Sequence, residues 1–261
     1  MRLPGRERLG FYPLPLREAE RIRRILEFPD KQYCALDPCV GDGVAFAEIA
    51  SDKKVLRYGV ELDAGRAEQS RAKGIEVIHG NCFDAQCPAE SFSLIYLNPP
   101  YDFEISEEKS QRMEKLFLER VYRWLKPGGI LVLVVPAKCV ADCTVLLSRQ
   151  FRDIRVYRLT EPESARYGQV AVFGVRRTRQ ERDRLRDAEI IQAQLWLASV
   201  EREVQKLSPL PVKPDHLYTA PSGGPVRLVH GGLPLDQIEI CCRNRPPIAK
   251  PQPFFSLIRQ T

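Results

Sequence analysis

Two short segments of the chain carry residue types that could hold a ligand and act on it. The first is Asn98-Pro99-Pro100-Tyr101, which directly follows an apolar run at 92–97. The two prolines restrict the backbone, so the Asn98 side chain and a nearby carbonyl can point into one small volume. Two such acceptors suit a substrate amino group, and the Tyr101 ring offers a flat stacking surface. This segment therefore predicts a site for a planar substrate that bears an amino group.

The second segment is a glycine-rich turn about sixty residues upstream, at 37–43. Gly41 and Gly43 would let a ligand approach the backbone closely, and the following helix would point its first amides at it. Glu61 ends the next apolar run, where an acidic residue can receive the two hydroxyls of a ribose. The turn lacks the G-x-G-x-x-G pattern of dinucleotide enzymes, which disfavours a NAD-dependent oxidoreductase.

Strand-like and helical patterns alternate through residue 175 and would position these segments. The predicted strands are 33–36, 56–60, 75–78, 92–97, 130–135, 154–159 and 170–175, and the predicted helices are 16–27, 44–50, 64–73, 108–125 and 141–149. Such alternation predicts a parallel sheet with helices on both faces. About ten residues separate the last two strands, too few for a helical crossover, so an antiparallel hairpin is expected.

In this order and spacing, the segments resemble class I, Rossmann-like S-adenosylmethionine-dependent methyltransferases. The resemblance is to the group that methylates amino nitrogens through an N-P-P-Y motif, and most of all to N6-adenine methylases. It covers about residues 10–176 and includes the segment Gly80-Asn81-Cys82-Phe83-Asp84 and the turn and strand at 125–133. It implies a three-layer αβα fold with a seven-stranded, mostly parallel sheet whose last strand is antiparallel. S-adenosylmethionine is the implied cofactor.

The resemblance also implies a set of cofactor-binding residues. They are Phe11, Tyr12, Pro13, Asp37, Pro38, Gly41, Gly43, Glu61, Leu62, Phe83, Asp84 and Asn98. The two glycines would admit the methionine portion, with Asp37 near its amino group. Glu61 would bind the ribose, Asp84 would accept from the adenine amino group, and Phe83 or Leu62 would pack on the adenine ring.

The implied catalytic residues are Asn98, Pro99, Pro100 and Tyr101. Asn98 and the Pro99 carbonyl would aim the lone pair of a substrate amine at the sulfonium methyl, so orientation and electrostatics would supply most of the acceleration. Tyr101 would stack on the target ring. Tyr167, in the loop of the predicted hairpin, is expected on the other face of that ring.

The predicted reaction is methylation of adenine N6 in DNA, where a duplex target would have to be flipped out of the stack. Three alternatives stay open: an RNA base amino group (adenine N6 or guanine N2), the N5 of a protein glutamine, and a non-catalytic subunit. Only about 30 residues precede the first strand, whereas glutamine methylases usually carry a helical N-terminal domain. The intact motifs at 37–43 and 98–101 disfavour a scaffold.

The 261 residues carry 40 Lys+Arg against 34 Asp+Glu, and this excess is unevenly placed. Residues 1–175 hold 26 basic and 25 acidic side chains, whereas residues 176–261 hold 14 and 9. We therefore divide the chain into a methyltransferase domain at 1–176 and a C-terminal extension at 177–261, with one long helix at 178–207 and a Pro-rich remainder. If nucleic acid binds, the first candidates lie at this boundary and just beyond it: Arg176, Arg177, Arg179, Arg182, Arg184 and Arg186.

The eight cysteines show no C-x-x-C pair and the three histidines are scattered, so no metal site is predicted. Mostly buried, unpaired thiols are expected instead. The longest apolar run, at 130–135, is too short to cross a membrane. The first residues, Met-Arg-Leu-Pro-Gly-Arg-Glu-Arg, lack an apolar signal segment. A cytoplasmic protein without a membrane partner is expected, and its oligomeric state is left open.

Overall fold

In a computed structural model, which describes residues 12–100, 103–105, 110–162 and 168–231, seven strands form one sheet. They are β1 (Tyr33–Asp37), β2 (Val55–Glu61), β3 (Glu76–His79), β4 (Phe92–Leu97), β5 (Leu125–Pro136), β6 (Phe151–Arg158) and β7 (Gln169–Arg176). The strand order is β3-β2-β1-β4-β5-β7-β6, and β7 runs antiparallel to both of its neighbours. The predicted fold class and the terminal hairpin are confirmed.

Helices cover both faces of this sheet. They are α1 (Leu16–Ile25), α2 (Val44–Ile49), α3 (Ala64–Arg71), α4 (Met113–Val121), α5 (Val140–Gln150), α6 (Arg179–Asp183) and α7 (Asp187–Glu203). Alternate residues of β5 join different cores, because successive strand side chains point to opposite faces. Leu131 and Leu133 pack with α4, α5 and α7, whereas Ile130 and Val132 pack with α1, α2 and α3. Central strands buried on both faces explain the continuous apolar runs in the sequence.

Two helix predictions are wrong in part. The helix predicted at 108–125 begins only at Met113, and an antiparallel pair, Phe103–Ile105 with Ser110–Arg112, precedes it. The helix predicted at 178–207 is two helices, α6 and α7, because a second helix start interrupts it. The Glu189 carboxylate accepts the backbone N–H of Arg186 at 3.2 Å, which begins α7. A polar capping contact of this kind leaves the apolar periodicity unchanged, so the pattern does not show it.

Residues 208–231, called here the C-terminal strap, pack along the methyltransferase fold. Tyr218–Thr219 pairs in parallel with Leu26–Glu27, and Tyr218 is buried. Further on, the backbone N–H of Gly223 donates to Gln32 O, just before β1. Further along the strap, Val229–His230 pairs antiparallel with Ala85–Gln86. The division of the chain at residue 176 stays a prediction.

Several further expectations concern metals, membranes and thiols. The part of the chain that the structure describes contains no cluster of His, Cys, Asp or Glu that could hold a metal ion. None of its helices is both long and apolar enough to cross a membrane. The six cysteines within it are free, and four of them are buried: Cys34, Cys82, Cys139 and Cys143.

Candidate active site

A cavity of about 360 Å³ lies where the carboxyl ends of β1, β2, β3 and β4 meet. This is the edge at which open α/β sheets bind ligands. Nine of the predicted site residues line it: Tyr12, Pro13, Asp37, Pro38, Glu61, Leu62, Phe83, Asn98 and Pro100. The sheet thus brings together residues that are up to 88 positions apart in the chain.

The turn after β1 places a buried carboxylate in the cavity wall. Asp37 is 2% exposed, and one of its oxygens accepts the backbone N–H of Cys39 at 3.0 Å. Burial raises the pKa of Asp37 to about 8, and the nearby Glu61 carboxylate adds to that increase. A carboxyl group in this state favours a cationic ligand, because a positive charge would stabilise its ionised form.

Gly41 and Gly43 shape this turn and are not among the lining residues. The backbone N–H of Gly41 donates to Glu61 Oε2 at 2.9 Å, and Ser70 Oγ donates to Gly41 O at 2.8 Å. Gly43 has a φ of 77°, and a Cβ at that position would lie 2.6 Å from Ser70 Oγ. The glycines are therefore needed for the conformation of the turn and its packing on α3.

The turn after β2 is organised around Glu61. Its Oε1 accepts the backbone N–H of Asp63 at 2.8 Å and two guanidinium N–H groups of Arg66, from Nη2 at 2.8 Å and from Nε at 3.1 Å. Arg66 also lines the cavity, and sequence reasoning missed it. Its position in the first turn of α3, five residues after Glu61, was the available signal.

Apolar side chains also line the cavity, among them Leu62 and Phe83. Leu62 is 43% exposed, and the Phe83 ring meets Phe117 edge-on at 5.0 Å. Met113 joins Phe117 in the lining, one turn earlier on α4. Neither of these two residues was predicted, although their i, i+4 spacing is that of one helix face.

Asp84 is placed differently from the prediction. It is exposed and does not belong to the cavity lining, whereas Asn81 and Cys82 do. Asn81 accepts the backbone N–H of Phe83 at 3.0 Å and begins the short 3-10 turn Cys82–Asp84. That turn carries Asp84 outward, so Asn81 is the polar side chain of this segment that reaches the cavity.

Asn98 connects three parts of the cavity wall. It follows β4 directly, and its Nδ2 donates to Tyr12 O at 2.9 Å. Its backbone carbonyl accepts from the thiol of Cys39 at 3.2 Å, across from the turn after β1. Pro100 lines the cavity next to it, whereas Pro99 is buried outside the lining. The predicted residues Phe11, Tyr101 and Tyr167 lie outside the described residues.

Some of the arginines predicted to face nucleic acid make contacts within the chain. Arg176 is buried, donates to Leu125 O, and lies 3.3 Å from Glu90, so its nomination as a phosphate contact is wrong. Two others pair along their own helices, Arg179 with Asp183 and Arg186 with Glu189. The charge excess of the extension is therefore a weaker indication of a nucleic-acid surface than the sequence suggested.

Comparisons with known proteins give the family to which most of the chain is similar. Residues 1–198 match the family described as "Uncharacterised methyltransferase family (DUF6094)". No curated protein sequence matches the chain.

Two solved structures share the fold. One is a putative class I S-adenosylmethionine-dependent methyltransferase from Listeria monocytogenes, with 15% identity and a TM-score of 0.53 over 70% of this chain and 68% of that one. The other is a type I restriction-modification methyltransferase subunit from Streptococcus thermophilus, also with 15% identity and with a TM-score of 0.52. That match covers 73% of this chain and 53% of the subunit, so this chain spans about half of its length.

Proposed function

The chain belongs to the uncharacterised methyltransferase family DUF6094, and we propose that it methylates an exocyclic amino nitrogen, namely adenine N6 in DNA. The family and the fold together indicate S-adenosylmethionine as the cofactor. The observation that carries the choice of an amino nitrogen is the placement of Asn98 in the same cavity as Asp37 and Glu61.

The residues of the cavity fit this cofactor. A volume of about 360 Å³ lies within the range of ligand sites, roughly 300–1,000 Å³. Asp37 offers a buried carboxylate to the charged amino group of the methionine portion, and the apolar side chains of Leu62 and Phe83 suit the adenine ring. Glu61 Oε2 accepts one hydrogen bond from Gly41, and an oxygen of this kind can accept a second from a ribose hydroxyl.

The contacts of Asn98 suit a group that accepts from a substrate amine. Its amide nitrogen donates to Tyr12 O, which fixes the orientation of the side chain and makes the amide oxygen the acceptor on the opposite side. The thiol contact of Cys39 with the Asn98 carbonyl holds the backbone of the same residue. Both contacts limit the freedom of Asn98 before any substrate arrives, which lowers the cost of orientation.

In the proposed reaction, the cofactor supplies an electrophilic methyl group on a sulfonium. An exocyclic amine is a poor nucleophile because its lone pair is delocalised into the ring. Asn98 Oδ1 would accept one of its N–H groups and turn the lone pair toward the methyl group, whereas Pro99, which does not line the cavity, is not assigned this role. As the N–C bond formed, the S–C bond to the methyl group would break, S-adenosylhomocysteine would leave, and the nitrogen would release its extra proton to solvent water. The protein would thus act by orientation and by stabilising the developing positive charge, without a strong base.

Transfer of a tritiated methyl group tests the acceptor class. The full chain is incubated with labelled S-adenosylmethionine and duplex DNA, single-stranded DNA, total RNA or a glutamine-containing protein. Label in DNA that is recovered as N6-methyladenine after nucleoside digestion supports the proposal. Label in RNA or protein alone would transfer the activity to that substrate class. Cofactor binding without any labelled product would favour a non-catalytic subunit.

Two asparagines in the same cavity separate the catalytic role from cofactor binding. Asn98→Ala is expected to lower kcat by about 10²–10³-fold, the typical effect of removing one oriented polar group at the reacting centre, while the Kd for the cofactor stays nearly unchanged. Asn81→Ala is the matched control and is expected to raise that Kd with little change in kcat. Equal losses of binding and turnover in Asn98→Ala would contradict the role assigned to Asn98.

A further inference from the structure

The C-terminal strap contacts the segment that follows one wall of the cavity. Four consecutive residues, Gly80 to Phe83, form one wall of the cavity. Directly after them, Ala85–Gln86 pairs with Val229–His230 of the strap, and the backbone N–H of Gly231 donates to Asp84 O at 2.7 Å. No strap residue belongs to the cavity lining, so the strap contacts the segment that directly follows this wall.

His230 of the strap packs against Gly80 of the wall. A Cβ added to Gly80 would lie 2.5 Å from His230 Nε2 and 2.6 Å from its Cδ2, so the imidazole occupies the space that a side chain would need. On its other side, the backbone N–H of Gly80 donates to Glu61 O at 2.9 Å. Gly80 is thus fixed between the end of β2 and the ring of His230, and it is buried.

The strap lies beyond the part of the chain that matches the methyltransferase family, because that match ends at residue 198. We propose that the strap completes the cofactor site of this protein, with His230 as a positioning residue for the wall from Gly80 to Phe83. This inference rests on the proposed function, since it assigns the wall to the adenine end of the cofactor.

Physical reasoning supports a positioning role for this contact. The wall is a short turn between β3 and the strand pair at 85–86, and connecting segments of this kind are more mobile than the strands they join. Asn81 and Phe83 would meet the adenine from this turn, so a displacement of the turn would change the adenine contacts first. Supporting contacts behind the residues that touch a ligand are what set the precision of a binding site.

The test is a double-mutant cycle on binding, with no acceptor substrate present. Binding of S-adenosylhomocysteine and of 5′-deoxy-5′-methylthioadenosine to the full chain is measured by calorimetry for the wild type, His230→Ala, Gly80→Ala and the double variant. Thr219→Ala is the matched control, because Thr219 Oγ1 donates to Glu27 Oε2 at 2.6 Å elsewhere on the strap. Thermal unfolding is recorded for every variant.

We expect His230→Ala to weaken both ligands by the same factor, about 3- to 30-fold, because both ligands carry the adenosine that meets the wall. Gly80→Ala should weaken binding as well. The double variant should bind more tightly than Gly80→Ala alone, since removal of the imidazole makes room for the new methyl group. Thr219→Ala should bind like the wild type.

Each contrary result has a distinct meaning. Unchanged binding in His230→Ala, or a strictly additive double variant, would overturn the positioning role and leave the proposed function intact. An equal loss in Thr219→Ala would reduce the strap to a general stabiliser and would also overturn it. A wild-type chain that binds neither ligand would instead contradict the proposed function, and the inference would fall with it.

Discussion

The turns that follow β1 and β2 both place a buried carboxylate in the same cavity, but the two carboxylates differ in their partners. Glu61, after β2, is 6% exposed and is paired with Arg66 at 2.8 Å. Two backbone N–H groups, of Gly41 and Asp63, also donate to it. Asp37, after β1, is 2% exposed, and no ion pair to it is found among the residues that the structure describes.

This difference separates two uses of a buried charge. The fold itself stabilises the Glu61 carboxylate, and Glu61 in return holds the glycine turn through Gly41. Burial instead raises the pKa of Asp37 to about 8, which leaves the ionised form costly until a cation arrives. We infer that Glu61 is part of the framework as well as of the site, whereas Asp37 is adapted to the charge of a ligand.

The largest expected effect is a loss of stability when Glu61 is substituted. Glu61→Ala leaves the Arg66 guanidinium and the Gly41 N–H without their acceptor, and loss of one partner of a buried ion pair typically costs about 3–5 kcal/mol. Urea unfolding of the ligand-free protein should show this loss in the free energy of unfolding. Glu61→Gln, which keeps an acceptor oxygen and the volume, should lose less. A decrease of less than about 1 kcal/mol in the free energy of unfolding of Glu61→Ala would contradict the conclusion that Glu61 stabilises the fold.

Substitution of Asp37 is expected to raise the free energy of unfolding, whereas substitution of Glu61 lowers it. The pKa of Asp37 is about 8 in the folded protein and near 3.8 otherwise, so the folded state binds more protons between these values, and stability falls as pH rises through that window. Asp37→Asn removes the buried charge and should therefore stabilise the ligand-free protein by about 2–4 kcal/mol at pH 9. At pH 4 the two proteins should unfold at similar urea concentrations. A variant that is destabilised at pH 9 would contradict this account.

The ionisation of Asp37 should also make cofactor affinity depend on pH. If the charged amino group of the cofactor binds ionised Asp37, then below pH 8 the Asp37 carboxyl must lose its proton on binding. Affinity should therefore fall by up to about tenfold for each unit that the pH is lowered below 8. Calorimetry with S-adenosylmethionine between pH 6 and 9 measures this slope. Asp37→Asn should bind more weakly at pH 9 and show a much flatter profile. A flat profile in the wild type would exclude Asp37 as the partner of the cation.

The sequence predicts the sheet and the position of the site well, for identifiable reasons. Strands β1 and β4 are buried on both faces, so their apolar runs are continuous and end at polar residues. Because parallel strands end at the same edge, Asp37, Glu61 and Asn98 could be expected to meet there. The structure brings all three into one cavity.

What the sequence did not show depends on contacts without a periodic pattern. Arg66 looks like one more charged residue on an exposed helix until Glu61 is placed beside it. The strap is anchored by backbone hydrogen bonds, such as Gly223 N–H to Gln32 O, which carry no side-chain signal. Asn81 lines the cavity and Asp84 does not because of the direction of a single 3-10 turn. A sequence motif does not specify that direction.

The smallest expected effect concerns the geometry of the Glu61 pair. Arg66→Lys keeps the charge but replaces two donors, Nε and Nη2, that both reach Glu61 Oε1. A lysine ammonium cannot reproduce this fork, so the free energy of unfolding should fall by about 1 kcal/mol, the usual worth of one hydrogen bond. Cofactor affinity should fall less than in the Asp37 variant at pH 9, because Glu61 keeps both of its backbone donors. Arg179→Lys on α6 is the control, since Arg179 pairs with exposed Asp183 at 3.8 Å and such surface pairs contribute about 0–1 kcal/mol. A greater loss of stability in Arg179→Lys than in Arg66→Lys would show that the two hydrogen bonds from Arg66 to Glu61 contribute no more than a surface pair.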